Sequence, residues 1–126
     1  MANAISGEEP VGSFERGNDL VAIPGRDGRL NASRTAELED AGLILFSSGA
    51  SAINYTIPPD SIIRPFLRGA TITICNEGAG IVTLVPGSGV TINSLGGSLV
   101  SAGQYAMFAV RKTTANVWIA YGNLTT

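Results

Sequence analysis

The sequence predicts an all-β fold: an antiparallel β-sandwich or jelly-roll-like domain of about eight short strands behind an extended N-terminal arm. Three observations lead there. Apolar runs are short, rich in β-branched residues and alternate with polar ones. Sixteen glycines and six prolines punctuate the 126 residues, and turn signals recur roughly every ten residues. Charge is segregated: residues 1–42 hold eight acidic and four basic side chains, whereas the rest of the chain holds only two and four. This divides the chain into a polar leader, 1–42, and a charge-poor β body, 43–126.

In chain order, residues 1–19 place Val11 and Phe14 among Gly7, Pro10, Gly12 and Gly17. That is too little apolar surface to fold alone, so an arm ordered by a partner is expected. Leu20-Val21-Ala22-Ile23, closed by Pro24-Gly25, reads as a strand or as an anchor that docks on a neighbour. Residues 31–40, NASRTAELED, carry the helix-start signals Asn31 and Ser33 and predict a helix of about two turns.

The body opens with a strand over 43–46 and a second over 52–57, the latter ended by Pro58-Pro59-Asp60. A connection over 61–68 is expected to bury some of Ile62, Ile63, Phe66 and Leu67, with Arg64 and Arg68 flanking Pro65-Phe66-Leu67. Residues 69–95 then predict a β-meander. Its strands fall at 71–75, 81–85 and 90–92, joined by Gly78-Ala79-Gly80 and Gly87-Ser88-Gly89 as hairpin turns. A short strand at 98–100 precedes a long one, QYAMFAVR, over 104–111, which turns at 113–116 into VWIAY at 117–121. No charge occurs from Val117 to Thr126, which predicts that this hairpin lies in a core or an interface.

Composition excludes several chemistries. The chain has no histidine, so a Ser-His-Asp triad or a histidine-based zinc site cannot be built from it. A net charge of −2 gives no electrostatic case for nucleic acid. The body has only two carboxylates, Asp60 and Glu77, both in turn contexts that read as solvated rather than as a glycosidase pair. The glycine segments match neither dinucleotide nor P-loop spacing. The single cysteine, Cys75, reads as a buried, inert thiol. No apolar run is long enough to cross a membrane as a helix, and the first ten residues lack the basic and apolar regions of a secretory leader. The expectation is a protein that is not an enzyme, with no cofactor, no metal, no nucleic-acid partner and no membrane partner. A body with so few charges is instead expected to cover much of its surface with other subunits. Tyr105, Trp118 and Tyr121 could stack on a glycan, although packing in a core or interface is the stronger expectation. Arg64 and Arg68 either pair with acidic groups of a neighbour's arm or remain solvated. The candidate docking and interface residues are Val11, Phe14, Leu20, Val21, Ile23, Arg64, Arg68, Trp118 and Tyr121.

From Leu38 onward the order of motifs resembles a β domain found in virion proteins of tailed bacteriophages: fibre tips, tail-associated proteins and small head-decoration proteins. The residues that carry the likeness are Asp40-Ala41-Gly42-Leu43-Ile44, Tyr55-Thr56-Ile57-Pro58-Pro59 and Gly69-Ala70-Thr71-Ile72-Thr73-Ile74. Gly78-Ala79-Gly80 with Val82-Thr83-Leu84 follows, then Gly87-Ser88-Gly89-Val90-Thr91-Ile92-Asn93. Ala102-Gly103-Gln104-Tyr105 and Asn116-Val117-Trp118-Ile119, running into Gly122-Asn123-Leu124, complete it. The resemblance implies a structural or adhesive role, a homotrimer and no shared catalytic residues. A small β domain with a short arm is most similar to a capsid decoration (cement) protein. That implies synthesis in the bacterial host cytoplasm, a place on the head surface of the virion, and an arm that reaches the major capsid protein or another virion protein. The alternative is a tail- or fibre-associated receptor- or glycan-binding protein.

Overall fold

The structure, a computed structural model, describes residues 28–62 and 64–126. Val11, Phe14, the run Leu20-Val21-Ala22-Ile23 and Ile63 lie outside the described residues. Among the described residues eleven strands follow in chain order. They are β1 (Gly28–Arg29), β2 (Arg34–Thr35), β3 (Ile44–Ser47), β4 (Ile53–Ile57), β5 (Thr71–Asn76), β6 (Val82–Pro86), β7 (Thr91–Ser94), β8 (Val100–Ser101), β9 (Ala106–Thr114), β10 (Val117–Gly122) and β11 (Leu124–Thr125). They form a six-stranded sheet in the order β1-β3-β5-β9-β10-β7 and a five-stranded sheet in the order β11-β8-β6-β4-β2.

The all-β class is as the sequence predicts; the expected antiparallel pairing is corrected to mixed. Five of the nine strand pairings are parallel. From β1 to β6 the chain changes sheet at every connection, so β1, β3 and β5 run parallel in one sheet and β2, β4 and β6 in the other. A tight turn cannot join parallel neighbours. Here each crossover runs through a strand of the opposite sheet, and the chain winds as a flattened coil. The predicted meander is corrected for the same reason. Its three strands exist as β5, β6 and β7, but no two of them pair with each other.

The glycine segments between them are coil corners rather than hairpin turns. The N–H groups of Glu77 and Gly78 donate to the Ser47 carbonyl at 2.8 and 3.0 Å, and Gly80 N–H donates to the Gly49 carbonyl at 3.1 Å. One corner thus stacks backbone to backbone on the previous one. A Cβ at Gly78 would overlap the Gly49 carbonyl, and one at Gly80 the Ser51 carbonyl, so the close approach demands glycine at both. Only β9 and β10 form the hairpin the sequence predicts, turning through Asn116 at φ 59°.

Residues 28–40 belong to the body, which corrects the boundary drawn at residue 42. Leu30 is fully buried, and β1 and β2 add to β3 and β4 in parallel. The helix predicted over 31–40 is replaced by β2 and a single 3-10 turn, Leu38–Asp40. Ser33 Oγ accepts the Asn54 N–H at 2.9 Å instead of capping a helix. Helix propensity over so short a segment is weak, and sheet pairing with burial of Leu30 and Ala36 outweighs it.

The core lies between the sheets. The larger sheet contributes Leu45, Ile72, Ile74, Phe108, Val110, Trp118 and Ala120, and the smaller one Ile53, Tyr55, Ile57, Val82 and Leu84. Phe66, from the connection between β4 and β5, meets Trp118 edge to face with ring centroids 5.3 Å apart. Trp118 is only 1% exposed on the inward side of β10, so its assignment as an interface residue is corrected to a core one.

Candidate interaction surface

Two ionisable clusters sit inside the body, and both tie backbone together. In the first, Arg34 donates twice to Asp40, Nη1 to Oδ2 at 2.8 Å and Nη2 to Oδ1 at 3.1 Å. The Tyr55 hydroxyl donates to Oδ2 at 2.6 Å and the Glu37 N–H at 3.0 Å. Burial alone would push the Asp40 carboxyl up; the guanidinium, the amide and the hydroxyl outweigh it and hold its pKa below the usual carboxylate range. Burial and the Asp40 charge together push the Tyr55 phenol far above its ordinary value. The cluster fastens the Leu38–Asp40 turn to β2 and β4. A fixed, fully partnered carboxylate of this kind is a structural lock.

In the second cluster, Lys112 Nζ donates to Asp60 Oδ1 at 2.5 Å and to the Phe66 carbonyl at 2.6 Å, with the lysine 5% exposed. Asp60 and Asn116 also exchange bonds: Asp60 N–H to Asn116 Oδ1 at 2.8 Å, and Asn116 N–H to Asp60 Oδ2 at 3.3 Å. Asp60 is therefore not the solvated turn residue its context suggests. It pins the β4–β5 connection, and with it Phe66, to the β9–β10 hairpin.

Glu77 lies elsewhere, 3.4 Å from Arg29. Its neighbour Asn76 pairs with Ala106 at the start of β9, whereas Asp60 binds Lys112 near the end of that strand. Six residues of extended chain span about 20 Å. Paired glycosidase carboxylates stand roughly 5–10 Å apart, so this pair does not fit that chemistry. Among the described residues no group of three His, Cys, Asp or Glu side chains could hold a metal ion.

The feature left is the outer face of the six-stranded sheet. Because alternate residues of a strand point to opposite faces, β9 sends Phe108, Val110 and Lys112 inward and Met107, Ala109 and Arg111 outward. Register assembles the outward residues into rows. Arg29, Phe46, Cys75 and Met107 form one row, and Ile44, Thr73, Ala109 and Tyr121 the next. Thr71, Arg111, Ile119 and Asn93 form the third. Ile44, Met107, Ile119 and Tyr121 are all exposed, Tyr121 by half. A groove of about 240 Å³ runs between Thr73, Met107, Ala109 and Tyr121. None of the six strands contains an Asp or Glu. The only charges on these rows are Arg29 and Arg111. A face of this kind is costly in water and suited to burial by a partner.

Beside this face stands Tyr105, 72% exposed and at φ 70°, a region a bulky side chain rarely adopts. Its N–H bonds the Asn76 carbonyl at 2.5 Å, and the preceding Gln104 side chain donates to the Glu77 carbonyl at 2.9 Å. These bonds hold an aromatic ring in solvent at the rim of the sheet.

Of the residues singled out from sequence, Tyr121 lies on this face. Arg64 is exposed and reaches Glu39 at 3.8 Å within the same chain, and Arg68 is exposed in the β4–β5 connection. Neither belongs to the outer rows. Cys75 is half-buried on the outer face rather than in the core; burial, then repulsion from Glu77, raises its pKa and keeps it a thiol. The sequence reading missed Ile44, Phe46, Met107 and Ile119. The alternation within AMFAVRK carried the signal for Met107, but which of the two alternating sets faces out depends on where the second sheet lies. No protein-family model, curated protein or solved structure matches this chain.

Proposed function

We propose that the protein is a structural component of a tailed-phage virion, a capsid decoration (cement) protein that stabilises the shell as a homotrimer. The observation that carries this reading is the broad, largely apolar outer face of the six-stranded sheet, whose strands contain no Asp or Glu, on a body whose inward carboxylates are locked in structural roles. Ile44, Phe46, Met107, Ile119 and Tyr121 would be covered by a neighbouring subunit or the major capsid protein, where apolar burial is worth about 25 cal/mol per Å² before the cost of association. Val11, Phe14 and the Leu20-Val21-Ala22-Ile23 run in the N-terminal segment would add anchors on the same particle. The motif order set out above supports the phage context.

The test is co-sedimentation with particles stripped of the protein, beside light scattering on the free chain. The intact chain should bind to saturation and give a trimer, free or on the particle. Deleting residues 2–19 should leave the melting temperature nearly unchanged and weaken binding. Particles that never take up the intact chain would remove the reading.

A further inference from the structure

The groove on the outer face of the six-stranded sheet has the small Ala109 between Thr73 and Tyr121 in register, with Met107 beside them. Its volume of about 240 Å³ admits an aliphatic side chain. The described chain begins at Gly28, in the edge strand β1 of this same sheet and opposite Leu45. That point lies between the row of Phe46 and Met107 and the row of Ile44 and Ala109, so the chain enters the sheet level with the groove. Neighbouring strands stand about 4.8 Å apart, and β9 and β10 are three and four strands from β1, which puts the groove roughly 14–19 Å from Gly28. Leu20-Val21-Ala22-Ile23 stands five to eight residues before Gly28, a reach of roughly 17–26 Å in extended chain. Within residues 1–27 no other stretch has four consecutive apolar side chains. The same residues hold Glu8, Glu9, Glu15, Asp19 and Asp27 against Arg16 and Arg26, whereas the only charges on the outer rows are Arg29 and Arg111.

We infer that the Leu20-Val21-Ala22-Ile23 run docks in this groove of its own chain and covers the outer face of the free protein. Three features converge on that occupant. The run is apolar where the groove is apolar, and burying it against Met107 and Tyr121 removes from water side chains that are 43% and 50% exposed. The tether to Gly28 has the length that the span requires, and a short tether holds the run at a millimolar effective concentration, which favours it over a second copy in dilute solution. The segment's charge is opposite to that of the face. Exposed ion pairs are worth little, so charge favours the approach and apolar burial holds the contact. The virion reading concerns what covers this face on a particle; in the free chain the face is closed by the run itself. On a particle the run would give up the groove to the partner and be free to anchor elsewhere.

The test compares amide spectra of the isotope-labelled full chain and of the same chain with Leu20→Ser, Val21→Ser and Ile23→Ser together. Loss of the run's apolar groups should shift the amides of Thr73, Met107, Ala109, Tyr121 and Gly122, and leave those of the buried Leu84 and Tyr55 in the other sheet in place. Groove amides that stay where they were overturn the inference. A nitroxide attached at Ala22→Cys, in a chain whose own thiol is removed by Cys75→Ser, checks the same contact with the apolar groups of Leu20, Val21 and Ile23 retained, so a triple variant that fails to fold does not spare the idea. The label should broaden the groove amides several-fold more than those of β4 and β6; even broadening over both sheets overturns it. In an equal mixture of spin-labelled chains without isotope and isotope-labelled chains without the spin label, the groove amides should stay sharp. Broadening there would place the run in a second copy's groove and overturn its assignment to its own chain. All three measurements use the free protein, so their failure leaves the co-sedimentation result untouched and the two readings fail separately.

Discussion

The two faces of the six-stranded sheet are made by the same strands and obey different rules. The inner face of β5, β9 and β10 places Ile72, Ile74, Phe108, Val110, Trp118 and Ala120 against the second sheet, each nearly or fully buried. Its one charge, Lys112, has its ammonium tied to Asp60 and the Phe66 carbonyl. The outer face, one residue out of phase, holds Ile44, Met107, Ile119 and Tyr121 with no second layer over them among the described residues. Inside, shape and pairing are fixed by what they touch. Outside, equally apolar side chains leave about 40–50% of their surface in water. An apolar residue left partly in water is open to a partner, and that contrast makes the outer face the one on which the proposed docking rests.

The comparison can be broken most violently from inside. Trp118→Ala removes the largest fully buried side chain and its Phe66 contact, and should cost about 3–5 kcal/mol in denaturant unfolding. A loss below about 1 kcal/mol would mean that the inner face is not packed as described.

Asp40→Ala is the next largest. It leaves the Tyr55 hydroxyl and the partly exposed Arg34 guanidinium without their acceptor and should cost roughly 2–3 kcal/mol. The same cluster sets a pH window. The folded-state pKa of Asp40 lies below its unfolded value, so its contribution is complete above the unfolded pKa of about 4 and is lost as pH falls below that. The folded-state pKa of Tyr55 is raised, so its contribution is complete below the unfolded phenol pKa of about 10 and is lost as pH rises beyond it. Thermal melts from pH 2 to 11 should show both edges, and Tyr55→Phe should soften the alkaline one.

A smaller effect of opposite sign is expected at the rim. Tyr105→Gly relieves the left-handed backbone and should stabilise the domain by about 1 kcal/mol. If the ring is held in solvent for docking, the same variant should sediment less with particles. Unchanged binding would make the strain purely local.

The outer-face pair is the most informative. Met107→Ser with Ile119→Ser should cost roughly 1–2 kcal/mol in unfolding, well below Trp118→Ala, since each side chain is already about 40% exposed. Binding to particles should fall sharply. A large loss of stability would show that these residues belong to the fold after all and erase the difference between the faces.

Composition and local pattern by themselves determine much of this protein. The β-branched alternation of Thr71-Ile72-Thr73-Ile74 and the hairpin closing at Asn116 are local consequences of strand periodicity and turn chemistry, and they appear where the sequence puts them. Pairing was not legible. Whether Gly78-Ala79-Gly80 folds the chain back beside β5 or carries it across to the other sheet depends on the corner formed by Ser47 to Ser51, some thirty residues earlier, on which it must stack. Tertiary contact likewise decided that residues 31–40 pair and turn instead of coiling, because Arg34 and Asp40 meet Tyr55 only once β4 is in place. The outer face of β9 followed the same logic. Alternation divides a strand into two sets of side chains, but only the position of the second sheet decides which set is the core and which is left to meet a partner.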